Sequence, residues 1–258
     1  MRFCSLGSGS SGNATVVEAR SDTTTSRVLI DCGFSLRELG LRLTRAGLTA
    51  SDLTAVFITH EHGDHVGCAV TLARRYRLPL WMSRGTWRAI GEPDADGLLN
   101  FARDGQPIIV GDLLLNPFTV AHDAQEPLQL NVTDGASKLG VLTDVGSVTP
   151  HLLTRLQGCN AMLLECNHDR ELLAGSRYHA SLKARISGRL GHLSNDSAAQ
   201  ILAACLHPGL NQLVAAHLSK ENNRPELARQ ALAHAGRRAE SDIVVADPLL
   251  GSDWLPVG

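Results

Sequence analysis

At 258 residues and 43% hydrophobic composition the chain can bury a sizeable core, and charged residues at 19% exclude an intrinsically disordered chain. A net charge of −2 excludes a strongly basic protein that coats nucleic acid, and leaves room only for local basic clusters. No apolar run reaches membrane-spanning length, no secretion signal is read, and the six cysteines form no CxxC pair, so reduced thiols in a cytoplasmic protein are expected.

In chain order, "GSGSSG" at 7–12 matches the spacing of a dinucleotide-binding loop. That loop needs a helix straight after it to hold the pyrophosphate, and the β-branched "NATVVE" follows instead, so a tight glycine turn and no nucleotide cofactor are expected. Strands are predicted at 15–19 and 27–31. A helix follows from 35 to 47, capped by Ser35 with Glu38 three residues on and ended by Gly47. "TAVFIT" reads as a buried strand, "VGCAVTLARRY" as a helix, "LPLWMS" as a strand and "RGTWRAI" as a short helix. The middle is β-rich: "QPIIV", "LLLNPFTVA", "LQLNVT" and "KLGVLTD". Then come a helix near 150–156 with Thr149 as cap and Pro150 at its first position, the strand "AMLLEC", helices near 179–190 and 194–206, the strand "QLVAAH", the helix "PELARQALAHAG" and the strand "DIVVA". Strands dominate early and alternate with helices later, which predicts one layered α/β domain over 1–258 with helices covering two sheets.

"FITHEHGDHVG", 57–67, crowds His60, His62, Asp64 and His65 into an H-x-H-x-D-H run at the end of a buried strand. A divalent metal rationalises the crowding, because neutral imidazole and carboxylate are good ligands and a cation reverses the cost of grouping them. The competing readings are a histidine-rich surface loop and a closed structural zinc, which would favour cysteines. Gly63 is expected to let the backbone turn sharply, and the adjacent Asp64 and His65 to point apart toward a second ion.

"THEHGDH" resembles the signature of the metallo-β-lactamase fold superfamily, and the resemblance runs along nearly the whole chain. "LIDCG" looks like the family's first motif, making Asp31 a supporting acid beside the loop; otherwise it is a plain strand-end acid. "FTVAHD", "GVLTDVG" and "LVAAHLS" put His122, Asp144 and His217 at the remaining ligand positions. The resemblance implies a four-layer αββα sandwich of two mixed β-sheets. It implies two divalent metal ions, zinc first and manganese second: one held by His60, His62, His122 and Asp144, the other by Asp64, His65, Asp144 and His217. Two such ions can hold a bridging hydroxide as nucleophile, which Asp64 is placed to orient and relieve of its proton.

"LLECNHD" and "GHLSND" resemble the "HEAT" and "GHST" segments of RNase Z-type phosphodiesterases. By that resemblance His192 protonates the leaving oxygen and Glu165 orients it; His168, after the glutamate, departs from the pattern and is a further catalytic candidate. "LGSGSSGNAT", "THEHGDHVGC", "ECNHD", "GHLSNDSAA" and "AAHLSKENN" together are similar to the YycJ/WalJ-type branch, which implies a nucleic-acid phosphodiesterase, usually a 5′→3′ DNA exonuclease. The 145–191 segment is too short for the β-CASP insertion of RNase J-type nucleases, and no tRNA-binding arm is seen. Arg177, Lys183, Arg185 and Arg189 offer phosphate contacts, with 185 and 189 on one helix face, or else form a solvated face. Ser8, Ser10, Ser11 and Asn13, and Ser219, Lys220, Asn222 and Asn223, are candidate substrate-binding groups. Trp81, Trp87 and Tyr76 read as packing residues. The main rival is a hydrolase of a small ester, thioester, lactone or cyclic phosphate on the same metals. A di-iron oxygen-reducing protein is disfavoured by His62, and a vestigial scaffold by the intact ligand set.

Overall fold

The computed structural model describes residues 1–258. Its first half lays down β1 (Arg2–Gly7), β2 (Ala14–Arg20), β3 (Thr25–Ile30), α1 (Leu36–Arg45), β4 (Ala55–Phe57), α2 (Gly63–Val66), α3 (Ala69–Tyr76), β5 (Leu80–Met82), α4 (Arg84–Ala89) and β6 (Leu99–Phe101). The second half holds β7 (Ile108–Val110), β8 (Leu113–Thr119), β9 (Leu128–Thr133), β10 (Lys138–Leu142), α5 (Pro150–Leu156), β11 (Ala161–Glu165), α6 (Arg170–Gly175), α7 (Ala180–Ile186), α8 (Asn195–Cys205), β12 (Gln212–Ala216), α9 (Pro225–Gly236) and β13 (Ile243–Val245). The final strand is β14 (Leu255–Pro256).

These strands form two seven-stranded sheets, ordered β14-β1-β2-β3-β4-β5-β6 and β13-β12-β11-β10-β9-β8-β7. Each is mixed in the same way. β1 to β3 pair antiparallel and β3 to β6 parallel; β7 to β10 pair antiparallel and β10 to β13 parallel. The central parallel strands are buried on both faces, as their near-continuous apolar runs demand: β4 and β11 are buried at every residue. Phe3, Val17, Val28 and Phe57 from one sheet meet Leu115, Leu130, Val141 and Leu163 from the other in a core between the sheets. A second core packs α5, α8 and α9 outside one sheet, and a third packs α1 and α3 outside the other. The layers therefore run helix, sheet, sheet, helix, as expected.

Ser35 caps α1 by accepting from the Glu38 amide at 3.2 Å, and Thr149 caps α5 with Pro150 at its first turn. The predicted helix from 66 to 76 is interrupted at Gly67, whose φ of +32° breaks it into α2 and α3. The sharp turn belongs to Gly67 rather than Gly63. A Cβ on Gly67 would lie 2.2 Å from the Cys32 carbonyl oxygen, whereas one on Gly63 would meet nothing. The helix near 179–190 stops at Ile186, so Arg189 lies beyond it and shares no helix face with Arg185.

Candidate metal centre

The cleft opens where strands end. β4 runs into the 58–62 loop and α2, β8 leads to His122, β10 to Asp144, β11 ends at Glu165, and β12 leads to His217. Parallel strands whose carboxyl ends lie side by side place their following residues together.

His60, His62 and His122 converge: His60 Nε2 and His122 Nε2 lie 3.1 and 3.3 Å from His62 Nδ1. Ligands about 2.0–2.1 Å from a tetrahedral zinc are roughly 3.3 Å apart, so the spacing fits one ion. Asp64, His65 and His217 form a second group, and Asp144 joins His60 and His65 in a third that spans the two. Asp64 and His65 thus converge rather than point apart. Asp144 Oδ2 and His217 Nε2 are buried and make no hydrogen bond, which suits atoms that face a cation.

The surrounding groups fix which nitrogen is free. His122 Nδ1 donates to the Gly191 carbonyl at 3.1 Å, and His65 Nδ1 to Asp31 Oδ2 at 2.8 Å; a carbonyl or carboxylate oxygen cannot donate, so in the neutral form of each ring Nε2 carries the lone pair. The Thr59 hydroxyl donates to Asp31 at 2.9 Å and lies 3.0 Å from His60 Nδ1. Asp31 thus lies beside the loop and accepts from both Thr59 and His65, and Thr59, which links Asp31 to His60, is a group the sequence alone does not single out. Gly33 lets the chain close here, since a Cβ on it would lie 1.7 Å from the Asp64 carbonyl oxygen.

The electrostatics call for positive charge. Burial opposes protonating His65, yet Asp144 and Asp31 on either side outweigh it and raise its pKa to about 10. Burial likewise disfavours charge on Asp144, but His217 and His65 hold its carboxyl well below the usual range. With carboxylates at 31, 64, 144 and 165 around one cleft, divalent cations fit the donor set.

His192 stands at the cleft mouth, 23% exposed, with Nδ1 2.8 Å from Glu165 Oε1 and 3.0 Å from Asp144 Oδ1. Burial opposes its charge, but Glu165 and Asp144 prevail and raise its pKa to about 9. Glu165 is fully buried, and its Oε2 accepts from the Val145 amide at 2.7 Å, so the carboxylate is fixed on the β10 side. His168 falls outside the ligand groups and lines a neighbouring cavity. Of the proposed substrate-binding groups, Ser10 lines the cleft. Ser8 accepts from the His217 amide, Asn13 reaches Asp64 and His65, and Asn223 bonds Asn195 and the Cys166 carbonyl, so these three brace loops. Ser219 accepts from the Asn222 amide at 3.2 Å, and Lys220 donates to Ser11 at 3.1 Å. Asp123, paired with Arg185 at 2.7 Å, also lines the cleft and was not singled out in the sequence; its position directly after His122 was the available signal.

Residues 26–217 match the family model described as "Beta-lactamase superfamily domain". The chain is 35% identical over 237 residues to "Exodeoxyribonuclease YycJ" of Bacillus anthracis, covering 90% of this chain and 88% of that protein. It is 32% identical over 249 residues to "Exodeoxyribonuclease WalJ" of Streptococcus pneumoniae, covering 95% and 90%. The fold is similar to the metallo-β-lactamase fold protein YhfI of Bacillus subtilis, with a TM-score of 0.74 at 16% identity over 98% of each chain.

Proposed function

The chain belongs to the β-lactamase superfamily, and from that premise we propose that it is a metal-dependent phosphodiesterase that removes nucleotides from DNA in the 5′→3′ direction. What supports this reading above all is the convergence of His60, His62, His122, Asp64, His65, Asp144 and His217 beside a histidine–glutamate pair. The names of the relatives favour DNA.

In this reading His60, His62, His122 and Asp144 hold one divalent cation, and Asp64, His65, Asp144 and His217 the other. Zinc comes first, since imidazole nitrogens dominate the shell, and manganese second, since its carboxylates also suit that ion. When bound, such a pair supplies Lewis acidity toward a phosphoryl group and a more acidic water. Asp64, whose side chain is 27% exposed beside His217, orients the attacking water and holds its proton. His192 gives a proton to the leaving oxygen, and Glu165 keeps that ring aimed. We read residues 1–258 as one working unit, and the six free thiols suit the cytoplasm.

The test is cleavage of end-labelled DNA and RNA by purified protein supplied with Zn²⁺ or Mn²⁺, beside thioester and lactone panels. Asp64→Ala should abolish DNA cleavage. His192→Ala should slow it about 10²–10⁴-fold, yet slow an aryl phosphodiester with a good leaving group far less, because p-nitrophenolate departs without a proton. Equal losses on both substrates would remove His192 from the proton-donor role, and turnover of thioesters alone would overturn the nuclease reading.

A further inference from the structure

Beyond His192 lies a second cavity of ≈ 580 Å³, and His192 lines both it and the metal cleft. Its volume falls in the range of small-molecule sites and would hold a nucleotide. No aspartate or glutamate lines it, whereas Arg170, Lys183, His168 and His192 do.

Three of these groups have spare capacity. Lys183 Nζ donates to the Ala174 carbonyl at 2.6 Å and pairs with no carboxylate, leaving ammonium hydrogens free. Arg170 is held through Nε, which bonds Ser194 Oγ at 3.2 Å and faces Asp196 at 3.2 Å; its terminal nitrogens remain free to form a fork. His168 is 2% exposed, and its Nδ1 has no hydrogen-bond partner. α8, eleven residues long, starts here: its cap Ser194 and the first-turn Ser197 line the wall, so the positive end of the helix faces the cavity.

We propose that this cavity binds a terminal phosphate monoester of the strand being cut, an inference that rests on the phosphodiesterase reading. A monoester carries nearly two negative charges at neutral pH and an internal diester one, so a pocket with two cations and a helix terminus selects strand ends over strand interiors. The apolar lining is Leu173, Ala174 and Ala184 with no Phe, Tyr or Trp, so the phosphate, rather than a stacked base, gives the end its main hold. A strand anchored there passes His192 and presents a nearby diester to the metal cleft, which makes the enzyme an exonuclease by geometry.

The test compares kcat/KM on oligonucleotides that differ only at one end: 5′-phosphate against 5′-hydroxyl, and 3′-phosphate against 3′-hydroxyl. The expected result is a preference of about tenfold or more for phosphate at one end, which identifies that end, falling toward unity in Lys183→Ala and Arg170→Ala. Calorimetry without turnover completes it: the purified protein should bind thymidine 5′-monophosphate about tenfold tighter than thymidine, and each variant should lose that difference. No phosphate preference at either end, or a preference unchanged in both variants, overturns the proposal. Retained monophosphate binding without cleavage of any strand would instead count against the phosphodiesterase reading.

Discussion

Asp31 holds a backbone φ of +61°, Asp144 of +53° and His217 of +55°, each immediately or shortly after a strand, in a left-handed region that L-residues enter at a cost of about 1–2 kcal/mol. The left-handed turn swings each side chain back into the cleft, where it finds its partners. For Asp31 the reward is double, because its carboxylate takes the Thr59 amide and hydroxyl on one oxygen at 2.9 Å and His65 Nδ1 on the other. Removing it frees the His65 ring to rotate and to carry its hydrogen on the metal-facing nitrogen. Asp31→Ala should therefore weaken metal binding about 10–100-fold in a chelator competition. Asp31→Asn, which tolerates the left-handed backbone and keeps one acceptor, should lose less. Parental affinity in the alanine variant would show that the second group does not depend on this support. None of the three positive φ values is legible in the sequence, since "LIDCG", "LTDVG" and "AAHLS" carry no glycine at the turning residue. The donors themselves are legible: an H-x-H-x-D-H run announces a metal by chemistry alone, while His122, Asp144 and His217 become recognisable only through the family order. Thr59 leaves no trace, because a threonine at a strand end is ordinary until its neighbours are known.

Among the elements, β2 carries an unusual load. Glu18 is 1% exposed, and the register sets Arg2 of β1 and Arg27 of β3 directly opposite it. Both arginines, with Arg20, donate to its carboxylate at 2.7 Å, a charge ladder across three strands. Burial would raise the Glu18 pKa, but the three guanidiniums overcome it and lower the value to about 2. A carboxyl depressed on folding contributes stability above its unfolded pKa and loses it as pH falls toward the folded value. Urea melts of Glu18→Gln should thus show a deficit of about 1.5–3 kcal/mol at pH 7 that shrinks between about pH 4.5 and 2. A deficit independent of pH would mean that Glu18 acts through packing. Some elements show where the sequence falls silent. β1, β6, α6 and β14 were not anticipated: β1 sits beside a serine–glycine run, β6 and β14 are two or three residues of partly buried chain, and α6 is six residues long. Elements that short have too few positions for a period to register, and pairing partners elsewhere in the chain decide them. The longer amphipathic and fully apolar segments, such as α1, α8, α9, β2 and β11, are readable because burial of one face or both leaves its mark on the composition.

At the scale of the molecule, the two sheets meet in an apolar core, but the candidate ligands are divided between them. His60, His62, Asp64 and His65 follow β4 of one sheet; His122, Asp144 and His217 follow β8, β10 and β12 of the other. A cation pair held by all seven would cross-link the sheets at one edge of the sandwich, and its binding energy would then be folding energy. A ligand present at 100 times its dissociation constant adds about 2.7 kcal/mol, which raises the melting temperature of a chain near this size by about 5–10 °C. Zn²⁺ or Mn²⁺ should produce that rise in a thermal melt, and a chelator should reverse it. Asp144 reaches His60, His65, His192 and His217 and so belongs to both groups. Asp144→Ala should therefore abolish most of the metal-induced shift, whereas a substitution confined to one group, such as His62→Ala, should leave part of it. A metal-induced rise of equal size in the parent and in Asp144→Ala would mean that the stabilising ion sits elsewhere, and that the sheets are joined by their apolar core alone.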